Sequence, residues 1–252
     1  KLDSRAFYAG KTASNGTDRY IWGWTPFRSG VDCHEKNINV GGGDGNEPNW
    51  SGALVCHKVF QHEDGTLSLR AIPAMATKYN KPQTVKVMDS KGYTDNKLTG
   101  DGAYVLYNRL GTCNHISFKV TTAGNDDKFG VSFVRSTDPE FYYSIIVNPE
   151  DNGNARKVNF EQEGYRIKIN DQGEEEKIYG KGFIDGADGY GFYRPADNTY
   201  DIDIYTDNSV VVVYINDIVC YTQRIYGIQK NSWSINNYGG SVTVSDVKVS
   251  QQ

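Results

Sequence analysis

Carboxylate side chains that lie close together are the first candidates for acid–base chemistry in this sequence. Asp201 and Asp203 are two residues apart, which on a β-strand places both side chains on the same face. Such a pair could share the roles of nucleophile and proton donor, but polar residues also alternate in this way on the solvent side of a strand. We therefore interpret the pair as a solvent-facing stripe. The run Glu174–Glu176 follows the turn sequence Asp171-Gln172-Gly173, and we expect it to be a solvated loop.

Two Cys-His dipeptides, Cys33-His34 and Cys56-His57, carry the types of side chain that bind zinc. Adjacent residues on a strand point to opposite faces, so a dipeptide of this kind seldom converges on one ion. We predict no metal site and no cofactor. The four cysteines allow disulfides, but their spacing matches no known framework.

Aromatic side chains are the best candidates for contact with a ligand. Trp22 and Trp24 share one face if their strand is regular. An indole face can stack on the apolar face of a sugar ring, although large aromatic residues on strands are more often buried in the core. Trp50 is expected to have a structural role.

The elements that must position these residues are strands. Apolar and polar residues alternate from Tyr200 to Tyr205 and from Phe129 to Phe133, while Val210–Ile215 is apolar throughout. Alternation predicts half-buried strands, and the continuous run predicts a strand covered on both faces. The alternation of valines slips by one residue between Val244 and Val247, which predicts a β-bulge. The fold class is therefore all-β.

Turn signals separate these runs and divide the chain. Asp64-Gly65 predicts a hairpin, and Asn216-Asp217 predicts a further turn. The strand rhythm breaks near Pro82, so we predict one unit over residues 1–80 and an antiparallel β-sandwich over residues 81–252.

Composition excludes some classes of function. The 252 residues carry a net charge of −4, so the chain lacks the excess of positive charge that is typical of proteins that bind nucleic acid or an anionic membrane. No apolar run approaches the ~18 residues of a membrane-spanning helix.

Two N-terminal segments carry distinctive motifs. The first is Asp3–Thr12, followed by Trp22-Gly23-Trp24, and the second is Trp50–Val55, which continues through the Asp64-Gly65 hairpin to Pro73. Both resemble glycoside hydrolase family 32, the invertases, inulinases and levanases. The first is similar to the family's Asp-x-Gly-x-Phe-Tyr-Ala stretch and its Trp-Gly-Trp strand, with Arg5 where glycine is usual, and the second is similar to the last propeller blade.

The C-terminal segment from Asp201 to Val249 resembles the closing strands of the family's β-sandwich, which is of the jelly-roll or concanavalin-like type. The resemblance implies the last blade or blades of an incomplete five-bladed β-propeller, followed by the sandwich. The family's three catalytic carboxylates, in its Asn-Asp-Pro, Arg-Asp-Pro and Glu-Cys motifs, would precede Asp3, and Thr137-Asp138-Pro139 does not match them.

The resemblance also implies a function and a binding site. The chain would be the C-terminal portion of a β-fructosidase-type glycosidase that is inactive without its N-terminal propeller portion. Asp3, Tyr8, Lys11, Trp22 and Trp24 would contact a fructan or sucrose-like carbohydrate. The expected location is extracellular or periplasmic, with any export signal outside this sequence.

Two other functions remain open at this stage. The first is a non-catalytic fructan-binding module that uses tyrosines such as Tyr142, Tyr143, Tyr190 and Tyr193. The second is a structural domain with no role in sugar binding.

Overall fold

The structure is a computed structural model, and it describes residues 2–4, 7–26, 52–125, 127–134, 142–151, 156–181, 192–225 and 228–252. Nearly all secondary structure in these ranges is antiparallel β, which confirms the predicted fold class. The elements are, in chain order, β1 (Tyr8–Ser14), β2 (Arg19–Pro26), β3 (Gly52–Gln61), β4 (Leu67–Arg70), α1 (Pro73–Lys78), β5 (Lys81–Gln83), β6 (Val87–Lys91), β7 (Tyr93–Thr94), β8 (Lys97–Thr99), β9 (Ala103–Tyr107), β10 (Cys113–Thr122), β11 (Phe129–Val134), β12 (Tyr142–Asp151), β13 (Arg156–Ile169), β14 (Glu175–Lys181), β15 (Phe192–Tyr193), β16 (Thr199–Asp207), β17 (Val210–Ile215), β18 (Val219–Arg224), β19 (Trp233–Asn237) and β20 (Ser241–Gln251).

Strands β1 to β4 form an N-terminal sheet in which each strand pairs with the next along the chain. The predicted Asp64-Gly65 hairpin joins β3 to β4. Gly65 has a φ of 85°, and the Asp64 carboxylate accepts a hydrogen bond from the Thr66 amide at 2.9 Å. Glycine adopts positive φ without steric cost, and a short acidic side chain closes such turns, so the local sequence accounts for this hairpin.

The remaining strands form two sheets that we call sheet I and sheet II. Sheet I has the order β18-β17-β16-β10-β20-β8-β7, with β5 paired to β20. Sheet II has the order β14-β13-β12-β11-β19-β9-β6, with β15 paired to β13. The predicted β-sandwich is therefore confirmed.

Alternation along the strands builds the core between the two sheets. Tyr200, Ile202 and Ile204 of β16 point into it, and they are at most 3% exposed. Trp233 of β19 is buried there and stacks on Tyr107 with ring centroids 4.6 Å apart. The pattern read from the sequence thus identifies the inward face of β16 correctly.

Strand β17 is buried on both faces, as its continuous apolar run predicts. Val211, Val213 and Ile215 face the sandwich core. Val212 and Tyr214 face the other way and pack in a second apolar cluster with residues of the N-terminal sheet and of the segment around α1. The outer face of sheet I is therefore partly covered by the N-terminal sheet.

The predicted bulge lies in β20, where Asp246 has a φ of 56° and the register with β10 shifts between Ser117 and Lys119. The expectation for Glu174–Glu176 is only partly correct. Glu174 is exposed in a turn, but Glu175 begins β14, where Glu176 lies opposite Lys168 of β13. Backbone pairing with β13 compensates for the low strand propensity of glutamate.

Within the described ranges no helix is long and apolar enough to cross a membrane. Cys56, Cys113 and Cys220 are free thiols, and Cys33 lies outside the described residues.

Buried tyrosines make the fold sensitive to alkaline pH. Burial raises the pKa of Tyr79 to about 12, and it also raises the pKa of Tyr107, Tyr200, Tyr205 and Tyr214. An acid whose pKa is higher in the folded state stabilises the fold fully below its unfolded pKa, here ~10, and that contribution disappears as the pH rises through the folded pKa.

We therefore expect the free energy of unfolding to fall steeply between about pH 10 and pH 12. Urea denaturation at a series of pH values, with tyrosinate absorbance recorded in parallel, measures this. Tyr79→Phe should make the fall less steep. Complete ionisation of the tyrosines with the strands intact would contradict the interpretation.

Candidate functional site

Buried polar side chains from three distant parts of the chain meet between the N-terminal sheet and sheet I. We call this group the Asp3 cluster, and it comprises Asp3, His57, Tyr214, Cys220 and Thr222. Asp3 precedes β1, His57 lies on β3, and the other three residues lie on β17 and β18. His57 points toward the sandwich because β3 alternates, so its neighbour Cys56 faces the opposite side.

The Asp3 carboxylate accepts hydrogen bonds on both oxygens. The amides of Ser4 and Thr222 each donate to Oδ1 at 2.6 Å, and the Thr222 hydroxyl donates to Oδ2 at 2.6 Å. His57 Nε2 lies 3.1 Å from Oδ2, and the Tyr214 hydroxyl lies 2.7 Å from His57 Nδ1. The Ser4 hydroxyl also donates to the Thr222 carbonyl. A carboxylate can be buried when it has this many donors.

The Asp3 cluster does not provide a reactive nucleophile. Burial raises the pKa of the Cys220 thiol well above its usual value, and the nearby Asp3 carboxylate raises it further. Burial likewise raises the pKa of Tyr214. A reactive cysteine needs the opposite shift and access for a substrate, so this thiol stays protonated and inert.

Asp3, His57 and Cys220 also offer three potential metal ligands within 4.8 Å of one another. However, the Cys220 sulfur lies 3.7 Å from His57 Nδ1 and 4.0 Å from Nε2, so it sits beside the imidazole ring and not beyond either nitrogen. A zinc ion on Nε2 lies in the ring plane and would be more than ~3 Å from this sulfur, whereas a Zn–S bond is ~2.3 Å. The arrangement fits a hydrogen-bonded cluster and does not fit a zinc site.

The other predicted sugar-contacting residues lie on the opposite side of the N-terminal sheet. Tyr8 pairs with Trp24 across β1 and β2, with ring centroids 5.8 Å apart, and Lys11 pairs with Trp22. These four side chains share one face, which we call the aromatic face, with Tyr20 and Leu54 beside them. Tyr8 is 54% exposed and Leu54 is 73% exposed. The structure therefore brings Tyr8, Lys11, Trp22 and Trp24 together and places Asp3 elsewhere.

Comparison with known proteins identifies the family. Residues 65–249 match the family model described as "GH32, BT1760-like, C-terminal domain". The chain belongs to glycoside hydrolase family 32. A search of curated protein sequences found no match.

Solved structures of this family share the fold at low sequence identity. An exo-inulinase from Aspergillus awamori aligns over 98% of this chain and 43% of its own, with 12% identity and a TM-score of 0.62. An Aspergillus kawachii β-fructofuranosidase aligns over 100% of this chain and 47% of its own, with 14% identity and a TM-score of 0.59. A Bombyx mori β-fructofuranosidase aligns over 100% of this chain and 42% of its own, with 12% identity and a TM-score of 0.51. The chain thus spans less than half the length of these relatives.

Within this family member, the two carboxylates singled out from the sequence each have a partner. Asp201 lies 3.0 Å from the Lys119 ammonium, and Asp203 lies 2.6 Å from His115 Nε2. Both lie on the outer face of sheet I, as the alternation predicts. Neither stands in the desolvated setting that a catalytic acid needs.

Sequence reasoning missed the role of His57 and its link to Asp3. The alternation on β3 could have shown that His57 points inward. Its partners Tyr214, Cys220 and Thr222 lie more than 150 residues away along the chain, and no local pattern connects them.

Some predicted features cannot be placed. Cys33-His34, Trp50, Thr137–Pro139 and Tyr190 lie outside the described residues. Tyr142, Tyr143 and Tyr193 lie on described strands, but their side chains are not described. A role for these tyrosines in sugar binding stays a prediction, as does sugar contact by Tyr8, Lys11, Trp22 and Trp24.

The Asp3 cluster should contribute strongly to holding the N-terminal sheet on the sandwich. Asp3→Asn keeps the volume but replaces the oxygen that accepts from the Thr222 hydroxyl and His57 with an NH2 donor, so we expect the free energy of unfolding to fall by about 2–4 kcal/mol. Thr222→Val should cost about 1–2 kcal/mol. The double variant should lose less than the sum, with a coupling of about 1 kcal/mol or more. Urea denaturation of the four proteins measures this.

A matched control is Thr243→Val on the exposed side of β20, which should change stability by less than about 0.5 kcal/mol. Hydrogen exchange should show lost protection mainly in β1 to β4 in the Asp3→Asn variant. Additive effects of Asp3→Asn and Thr222→Val would show that the two side chains do not act together.

Proposed function

We propose that this chain is the C-terminal portion of a secreted glycosidase that hydrolyses β-fructosides of the sucrose, inulin or levan type. The observation that carries the proposal is the match of residues 65–249 to the C-terminal domain of the family. The structures aligned over nearly the whole chain are named as a β-fructofuranosidase or an exo-inulinase, which supports a fructoside as the substrate class.

In this proposal the N-terminal sheet is the last part of a five-bladed β-propeller, and the sandwich supports it. The exposed aromatic face supports this role, because a surface bearing Tyr8 and Leu54 at more than half exposure is one that a folded protein normally covers. A preceding blade from the missing propeller portion would cover the β3 side of this face, around Leu54, and would leave the β1 side, with Tyr8 and Lys11, open to the pocket. The domain division at residues 1–80 and 81–252 is part of the same proposal.

The chemistry would depend on carboxyl groups outside this chain. Retaining hydrolysis uses two carboxyl groups about 5–5.5 Å apart, one as nucleophile and one as acid and then base. The contribution of this chain would be to shape the pocket. Trp24 and Tyr8, held edge to face, would form an aromatic wall against the sugar, and Lys11 would donate hydrogen bonds at its rim.

Activity should therefore require the missing portion. We expect no fructose release from sucrose, inulin or levan by the 252-residue chain, because the proposal places the catalytic carboxyl groups in the missing propeller portion. Joining the chain to the N-terminal propeller portion encoded upstream should produce hydrolysis. Reducing-sugar and chromatographic assays measure both proteins. Fructose release by the chain alone, or a joined protein that is inactive on all three substrates, would contradict the proposal.

The aromatic wall can be tested in the joined protein. Trp24→Ala should lower kcat/KM by about tenfold, since an aromatic contact of this kind contributes about 1–1.5 kcal/mol. Tyr104→Ala, on sheet II, is a matched control that should leave kcat/KM unchanged. Equal effects of the two variants would show that Trp24 supports folding and does not contact the sugar.

A further inference from the structure

A groove crosses the outer face of sheet I beside the N-terminal sheet. Two adjoining depressions of about 620 Å³ and 460 Å³ share Ser117 and Lys248 as their common floor. The Asn216-Asp217 turn bounds one end, and β5 bounds the other through Pro82 and Gln83. No residue of the aromatic face or of the Asp3 cluster lines this groove, so it is separate from both.

The bulge in β20 shapes the floor. Asp246 adopts a φ of 56°, and the register of β20 against β10 shifts beside Phe118. A bulge bends its strand and increases the local twist, so the sheet is not flat at this point. The Asp217 turn is held by the N-terminal sheet, since its carbonyl accepts a hydrogen bond from the Ser68 hydroxyl at 2.9 Å. The groove therefore has a bent floor and a fixed end.

The floor of the groove carries rows of hydrogen-bond donors and acceptors. Ser117 of β10 lies directly between Lys248 of β20 and Asp203 of β16, and one step along β10, Lys119 lies opposite Asp201. Neighbouring strands are about 4.8 Å apart, so an ammonium, a hydroxyl and a carboxylate follow one another at that spacing across the sheet. Hydroxyl groups both donate and accept, so a polyhydroxylated chain that lies along this line can pair with each of these groups.

Part of this polar surface is free to bind a ligand. Among the residues that the structure describes, neither the Ser117 hydroxyl nor the Lys248 ammonium has a hydrogen-bond partner. Asp203 uses one oxygen for His115. The His115 ring lies parallel to Tyr205 with centroids 4.2 Å apart, which fixes the imidazole as a flat wall of the second depression.

The charge of the lining limits the kind of ligand. Four carboxylates, of Asp201, Asp203, Asp217 and Asp246, face two ammonium groups, of Lys119 and Lys248. This excess of negative charge disfavours phosphate or carboxylate ligands. Neutral hydroxyl groups can donate to the carboxylates and accept from the ammonium groups, and hydrogen bonds to charged partners are the stronger ones.

We propose that this groove binds a neutral oligosaccharide and gives the chain a second carbohydrate site, remote from the aromatic face. The ligand class follows from the groove itself. The choice of fructan chains rests on the proposed function. The site would hold a polymeric substrate on the sandwich while the propeller acts on a chain end.

The test uses the 252-residue chain and isothermal titration with oligosaccharides of four to six fructose units from levan and from inulin, and with cellohexaose. We expect saturable binding to at least one fructan series. Lys248→Ala and Asp203→Asn should each weaken it by about tenfold, because each removes a hydrogen bond to a charged group. Matched controls are Lys91→Ala and Asp171→Asn, which are exposed positions on the strands and turns of sheet II and should leave the affinity unchanged.

Four results decide the matter. Loss of binding in the groove variants alone supports the proposal. If Asp203→Asn fails to fold, the exposed Lys248 variant gives the same decision by itself. No binding of any sugar, or equal binding by all variants, overturns the groove and leaves the proposed function standing. Groove-dependent binding of cellohexaose but not of fructans supports the groove and contradicts the fructoside assignment. Stoichiometric binding of Ca²⁺ that Asp203→Asn abolishes, without sugar binding, overturns the proposal.

Discussion

A buried carboxylate is stable in a protein only where enough hydrogen-bond donors surround it. The Asp3 carboxylate therefore requires three segments of the chain to bring their donors to one point. Its donors come from the chain start, from β3 and from β18. The N-terminal sheet must therefore approach sheet I in one register, with His57 and Thr222 both within reach. The apolar contacts of Leu69, Val212 and Tyr214 surround this polar centre. Hydrophobic burial supplies most of the attraction between the two layers, and the carboxylate fixes their alignment.

The same alignment gives the N-terminal sheet two faces of different character. One face carries His57 and Ile21 toward the sandwich, and the other carries Tyr8, Trp22 and Trp24 away from it. Period-2 alternation links the two faces rigidly, because a shift of one residue would exchange them. Anchoring through Asp3 thus also determines where the aromatic side chains are presented. Asp3 lies apart from the aromatic face, and it can still influence that face through the backbone of the sheet.

Much of the fold could be predicted because its causes are local. Alternation identified β16, a glycine in a tight turn identified the β3–β4 hairpin, and a slip in the valine pattern identified the bulge of β20. The arrangement of the candidate site was harder to predict from the sequence. The motif resemblance grouped Asp3 with the aromatic residues, but its hydrogen-bond partner Thr222 is 219 positions away. The start of β14 was missed for a similar reason, since Glu176 is stabilised by pairing with β13 and not by its own propensity.

Strand β17 restricts how this sandwich can be reused in other proteins. Its outward side chains Val212 and Tyr214, with Cys220 on the next strand, are covered by the N-terminal sheet and would face water without it. A gene rearrangement that transferred only the sandwich would expose a hydrophobic patch and would favour aggregation. For the sandwich to stay soluble as an independent module, these positions would need polar side chains. The unit that can be transferred between genes without exposing these side chains is therefore the sandwich together with the N-terminal sheet that covers it.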